Sequence, residues 1–450
     1  MTCRTVVPTA FIDRRSDQRV WFIVLKRSMT NRLSPSVIFT IFALVVFHAV
    51  DLTADDWPAF CGPRGDGKSN EKNAPTSWAP NTNIKWKVAL ASDGNSSPIV
   101  SNGRIFLHVA SGKGRKRGLV CYDRTNGREF WSRTVEYAKV DQTHKTNPYD
   151  ASTPVTDGKR VVVWHGSAGL YCYDFDGNEL WSRQLGEIDH FLGYASSPII
   201  YDGKVILSFG PGVNQAMLAV DLESGKTVWK TDEPGGNAGQ KPREVASYST
   251  PVVVRVDGKD QILNSMPTRV VAYEPADGSI LWTVGGIPGR QDLVYTSPII
   301  AGDLGIAMGG FRGPRLGFRL GGAGDVTKTH RQWHITGRNP QRIGTGVFVD
   351  GHVYTANVGP GTMECMDPRT GEINWHTRTP GGDVWASIIY AAGHLYITTQ
   401  GGTTHVVRPN SEKLEIISSN ALGETTNATP ALSDGEFFIR THEHLFCISD

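Results

Sequence analysis

A segment of about fifty residues repeats along this chain, and that repeat limits the fold more than any other feature. Residues 96–131 read SSPIVSNGRIFLHV and then GLVCYDRTNGREFW. Residues 152–181 read STPVTDGKRVVVWH, then GLYCYDFDGNELW; residues 196–229 read SSPIIYDGKVILSF, then MLAVDLESGKTVW. A fourth copy covers 249–282, a fifth starts at 296–309 and decays towards Trp333, and a sixth runs from Gly346 to Trp375. A seventh starts at Ser387, and an eighth is half a copy, ATPALSDGEFFIRT followed by HLFCIS. The closing residues Trp131, Trp181, Trp229, Trp282, Trp333 and Trp375 are spaced 50, 48, 53, 51 and 42 apart. Each full copy carries four short runs rich in β-branched and aromatic residues, separated by turn signals such as Asn102-Gly103. That period and that strand count are those of a four-stranded propeller blade.

The two ends of the repeat region complete each other. The last copy lacks a fourth strand, and Ile84–Val88 is a fourth strand without a blade. The sequence therefore predicts an all-β fold: one eight-bladed β-propeller over residues 83–450, its last blade completed by the N-terminal strand. Closure removes exposed sheet edges. Residues 55–82 form a lead segment expected on the outside of the ring. Composition agrees, since 50 Gly and 25 Pro suit many short strands and turns. The first 54 residues hold seven basic and three acidic residues, and the remainder balances 39 basic against 41 acidic residues. Such a body has no electrostatic reason to bind nucleic acid.

Residues 1–54 read as a targeting segment. The apolar run VIFTIFALVVFHAV spans 37–50, follows Arg27 and Arg32, and precedes a small-residue ending at Ala54. This is the order of a secretory signal, and the run is short for a membrane span. Translation from Met29 gives a signal of ordinary proportions. The expected product is exported, periplasmic or extracellular, with no stable membrane span after cleavage, and monomeric; an uncleaved anchor is the alternative.

The pattern SSPxhxxGxhhh…LhAxDxxTGxxhW, with h apolar, resembles the pyrroloquinoline-quinone-type propeller repeat. Asp56-Trp57-Pro58-Ala59-Phe60-Cys61-Gly62-Pro63-Arg64-Gly65-Asp66-Gly67 resembles the lead segment of exported planctomycete proteins of this type. The resemblance implies the fold and leaves function divided. Some members are quinone- and calcium-dependent dehydrogenases; others, among them a lipoprotein of the outer-membrane β-barrel assembly machinery, bind no quinone. The dehydrogenases carry adjacent cysteines over the quinone, and this chain has no Cys-Cys pair. No calcium-ligand motif or catalytic aspartate motif of the family stands out. The resulting expectation is a non-enzymatic binding or scaffold module for a protein, peptide or envelope polymer, with no cofactor. Pyrroloquinoline quinone and calcium belong to the alternative reading, an oxidoreductase.

Other motifs read as structural. Cys121, Cys172, Cys365 and Cys447 occupy one repeat position that elsewhere holds Ala219 or Ala272, a small buried slot. His442-Glu443-His444 offers two imidazoles on one strand face for a metal, or a turn of the last blade. Asp174 to Glu179 mimics part of a calcium loop but stands where other copies have a turn. The candidate site comes from topology. In this fold the residues before each Ser-Ser-Pro crowd round one mouth of the channel. They are Asn95, Tyr149, Asp150, Tyr194, Tyr248, Tyr295, Arg342, Trp385 and Asn427, a set of aromatic, amide and charged groups suited to a ligand. The loops 136–150, 232–247 and 376–384 feed the same mouth.

Overall fold

The computed structural model describes residues 56–450 apart from 213, 234–244, 288–291, 338 and 360. The targeting segment with Met29, and most of the loop 232–247, lie outside the described residues. Eight antiparallel sheets surround a central channel. Blade 1 runs outward from the channel as Ile99–Ser101, Arg104–Ser111, Lys116–Asp123 and Glu129–Glu136. The last blade is composite: Ile84–Ala89 pairs antiparallel with His444–Ile448, placing Trp86 opposite Cys447 and Val88 opposite Leu445. Helix is sparse: the described elements are Thr327–His330 and a 3-10 turn at Gly166–Ala168, and Asp292 is also 3-10.

The repeated residues explain how neighbouring blades hold together. The outer-strand tryptophan of one blade donates its indole N–H to a turn carbonyl of the next. Trp131 reaches Phe175 O at 2.8 Å, Trp181 reaches Leu222 O at 2.9 Å and Trp375 reaches Asn410 O at 2.8 Å. Trp86 does the same across the closing seam, to Arg124 O at 2.9 Å. The turn glycine lies under that ring. A Cβ on Gly127, where φ is +73°, would sit 2.7 Å from Trp86 and 2.6 Å from Val88, so the glycine answers both the turn and the close approach. Across the sheet each tryptophan faces a small residue: Cys121, Cys172, Ala219, Ala272, Gly317 or Cys365. The described cysteines are all unpaired and buried. Burial pushes the thiols of Cys121, Cys172 and Cys447 up to about 12, so they pack as small hydrophobes.

One seam differs. Trp282 is fully buried and bonds Gln261 Oε1 of its own sheet at 2.8 Å. There the chain of blade 5 turns back, and Gly324–Asp325 adds a parallel strand to the outer edge of blade 4. The decay of the fifth repeat thus marks a seam joined by strand pairing.

The serine or threonine at the second position of the Ser-Ser-Pro motif, or at the equivalent position of the copies that lack it, forms a ring at the head of the innermost strands. The Ser97 N–H donates to Thr153 Oγ1, Thr153 to Ser197, Ser197 to Thr250, and Ser297 to Thr345, at 3.0 to 3.1 Å. Thr345 donates to Ser387, Ser387 to Thr429 and Thr429 back to Ser97, at 2.9 to 3.0 Å. Between Thr250 and Ser297 the link is reversed, from the Ser297 hydroxyl to Thr250 O at 2.7 Å. Seven of the eight hydroxyls meet a buried backbone donor, and the eighth, on Ser297, meets a buried carbonyl, which explains why serine or threonine recurs there.

The lead segment lies on the outside of the ring only in part: Trp78 N donates to Asn420 Oδ1 at 3.1 Å on Glu415–Ala421, the outermost strand of blade 7. Its earlier residues instead cross the opposite mouth of the channel, bonding the far ends of the inner strands. Trp57 and Val100 exchange two backbone bonds of 2.9 Å, Thr156 N donates to Pro58 O at 2.9 Å, and Tyr390 N donates to Gly67 O at 2.8 Å. An innermost strand is a sheet edge with unpaired backbone groups, and these residues satisfy part of that edge.

Candidate functional site

Above the hydroxyl ring lies a cavity of about 440 Å³. Its base includes Ser97, Thr250, Ser297, Thr345, Ser387 and Thr429, the ring residues themselves. Phe60 of the lead segment reaches this cavity from below and also lines a second cavity of about 630 Å³ at the other mouth. The channel is therefore divided by the chain's own lead segment. The upper walls carry Phe191, Tyr248, Tyr295, Phe311, Ile343 and Trp385.

Five of the nine residues expected from sequence come together here: Asn95, Tyr248, Tyr295, Trp385 and Asn427. Asn427 Nδ2 donates to Asn95 Oδ1 at 3.1 Å, Gln400 Nε2 donates to Asn427 Oδ1 at 2.9 Å, and Asn95 Nδ2 donates to Thr146 O at 2.9 Å. This makes a continuous chain of amides on one side. On the other side the Tyr248 and Tyr295 rings stand 5.8 Å apart, and the Tyr248 hydroxyl pairs with His190 Nδ1 at 2.8 Å.

The remaining four residues are absent from the cavity lining, for a common physical reason. Charges in a protein interior need partners, and these positions supply them. Asp150 and Arg440 form a fully buried ion pair of 2.6 Å. Burial raises the Asp150 carboxyl while Arg440 opposes the shift. Arg342 is buried and bonded to the Glu364 carboxylate. Tyr149 and Tyr194 stack on the buried guanidinium of Arg117, which bonds Asp141 at 2.6 Å; the Tyr194 hydroxyl donates to Tyr149 O at 2.6 Å. Beside them His165 and His108 are linked at 2.9 Å, and His108 Nδ1 meets Ser152 O at 2.9 Å. Since Ser152 O only accepts, His108 carries its proton on Nδ1 and takes a bond from His165 on Nε2. Burial depresses both, His108 to about 3 and His165 well below the ordinary range, so both are neutral.

Sequence reasoning missed Phe60, Phe191, Phe311 and Ile343. Phe311 had a findable signal. It sits at the hairpin tip between Leu304–Met308 and Arg315–Arg319, and such tips share a face with the residues before Ser-Ser-Pro.

Among the described residues no aspartate, glutamate, lysine or arginine lines the cavity. Pyrroloquinoline quinone is a tricarboxylate whose calcium needs oxygen ligands, at least some of them anionic. The donor set here does not fit that pair. The turn reading of the last blade holds for residues 441–443, with the Thr441 hydroxyl accepting from Glu443 N at 3.2 Å. Glu424, Glu443 and His444 approach one another, but His444 Nδ1 already bonds Glu424 Oε1 at 2.8 Å and Glu443 is exposed. No described helix is long and apolar enough to cross a membrane.

The family described as outer membrane protein assembly factor BamB matches over residues 115–377. Curated relatives with the same description include one from Yersinia pestis, 21% identical over 229 residues, and one from Moranella endobia (strain PCIT), 24% identical over 227 residues. The first alignment covers 49% of this chain and 51% of the relative, the second 49% and 50%; the chain spans about half the length of the curated relatives it matches. Among solved structures, BamB from Moraxella catarrhalis superposes with a TM-score of 0.55 at 15% identity, covering 81% of this chain and 96% of that one. Quinohemoprotein alcohol dehydrogenase from Comamonas testosteroni superposes with a TM-score of 0.57 at 14% identity, covering 87% and 80%. At these identities the likeness to the solved structures is one of fold.

Proposed function

We propose that this chain, which belongs to the family described as outer membrane protein assembly factor BamB, is an exported, non-catalytic scaffold that binds a protein or polymer of the cell envelope at the upper channel mouth. The observation that carries this reading is the cavity lining. It joins aromatic rings and amides with no aspartate, glutamate, lysine or arginine among the described residues, a set suited to holding a ligand; the lining histidine, His144, is exposed and has Nδ1 engaged with Thr146 Oγ1 at 2.7 Å. The buried cysteine thiols, shifted upward, supply no nucleophile.

In this reading residues 1–54 direct export, 55–82 form the lead segment and 83–450 the propeller. The mature chain begins near Asp55, outside the cytoplasm, and is a monomer. N-terminal sequencing of native protein tests the export step, and a mature chain that keeps residues 1–28 overturns it.

Binding is tested by crosslinking the native protein in its own envelope. Wild type captures a specific partner, and Tyr295→Ala with Trp385→Ala reduces that capture while the melting temperature stays nearly unchanged. Undiminished capture by the double variant removes the cavity from the function. Addition of pyrroloquinoline quinone with calcium leaves the absorption spectrum as the sum of its parts; a new bound-quinone band overturns the non-catalytic reading.

A further inference from the structure

We infer that the ligand of the upper cavity is an uncharged stretch of peptide anchored by an aromatic or large aliphatic side chain; this rests on the proposal that the cavity is the binding site. The first argument is charge. A ligand carboxylate or ammonium brought into this cavity loses its water and meets no aspartate, glutamate, lysine or arginine among the described lining residues, only the exposed His144 at the rim. The inserted part is therefore neutral.

The second argument is the distribution of lining groups. Leu192, Leu293, Ile343 and Val358 join the aromatic residues, and two rings at the opening, Phe191 and Phe311, are 41% and 38% exposed. A sugar polymer would set hydroxyls against these apolar walls. A side chain such as Phe or Leu buries its apolar area there, which is favourable in proportion to the area removed from water. The amide chain through Asn427 and Asn95 lies along the same cavity. Its members join carbonyl to N–H, the two groups that a peptide backbone presents.

The channel already holds an occupant. Residues 58–60 of the lead segment have no regular secondary structure, and they enter the channel from the opposite mouth. Thr156 N donates to Pro58 O at 2.9 Å, and the Phe60 ring reaches into the upper cavity as part of its floor. The channel thus already accepts one peptide stretch of this chemistry, held by backbone bonds and one aromatic ring. A second stretch entering from above meets Phe60 ring to ring, where offset or edge contacts between aromatics add to the gain from burial.

The test uses the mature protein and three probes in calorimetry: a blocked peptide acetyl-Gly-Phe-Thr-Phe-Gly-amide, its analogue with both Phe replaced by Asp, and a neutral oligosaccharide, cellohexaose. The Phe peptide binds, and the Asp analogue binds at least about tenfold more weakly. Ile343→Asp weakens the Phe peptide by a similar factor, and the milder Phe311→Ala weakens it less without touching the inner wall. Equal binding of the two peptides overturns the inference, as does cellohexaose binding in place of the Phe peptide. If envelope crosslinking depends on Tyr295 and Trp385 while the Phe peptide fails to bind, the ligand class falls and the site stands. If neither depends on the cavity, both fall.

Discussion

Thr429 donates its backbone N–H to the Ser97 hydroxyl at 3.0 Å, across 332 residues of sequence. This bond closes the ring of hydroxyls under the cavity. Ser97→Ala leaves the Thr429 N–H buried without an acceptor. The expected loss is about 1–3 kcal/mol, read as a lower urea midpoint with an unchanged slope. Ser132→Ala, on an exposed outer position, is the control and leaves the midpoint in place. A silent Ser97→Ala shows that the ring adds nothing to stability.

Closure carries a second expectation. Trp86 docks on Arg124 O, packs over Gly127 and lies 6.1 Å from the Phe438 ring. Trp86→Ala should cost about 3 kcal/mol and lower the melting temperature of the whole ring in one transition. Two separated transitions in calorimetry would mean that the closing blade unfolds alone.

Gly94 gives the sharpest steric expectation. A Cβ there would lie 1.8 Å from Arg440 Nη2 and 2.0 Å from Asp150 Oδ2. Gly94→Ala must therefore displace the buried Asp150–Arg440 pair, with an expected loss of about 3–5 kcal/mol. A variant as stable as wild type would show that the pair relocates freely.

The pH dependence follows from the neutral His108–His165 pair. The ordinary histidine value applies unfolded, near 6.5, while the folded value of His108 is depressed to about 3. The unfolded chain therefore binds the proton first as pH falls. Stability from this site is complete above about 6.5 and is lost on acidification towards 3, with a slope of about 1.4 kcal/mol per pH unit for each histidine. Thermal melts between pH 8 and 4 check this. His165→Gln should be less stable at pH 8 and show a shallower fall; an unchanged slope removes the pair as its cause.

The fold was legible because its rules are local and repeated. Most of the Trp, turn Gly and Ser-Ser-Pro positions act on the adjacent blade, so repeated readings of one rule agree, and the two half-copies reveal the closure. The site was legible only in part. Position before Ser-Ser-Pro brings a residue to the right face but does not set where its side chain turns. Asn95, Tyr295 and Trp385 line the cavity, whereas Tyr149 and Tyr194 turn to Arg117, a buried cation from the neighbouring strand of blade 1. Phe60 was missed because nothing in the repeat says where a segment outside it will lie. The unpaired inner-strand edges that draw it in exist only once the ring has formed.

The pairing of the first blade strand with the last sets an order on biosynthesis. Lys85 bonds Glu436 at 2.5 Å, across 351 residues. As the chain emerges, Ile84–Ala89 is made first and waits through seven intervening blades for His444–Ile448. Until then Ile84–Ala89 is a strand without its partner, the kind of edge that pairs with strangers. A nascent chain of this design needs protection until its last strand, His444–Ile448, arrives, and a premature stop codon in the last blade should be as damaging as one in the middle.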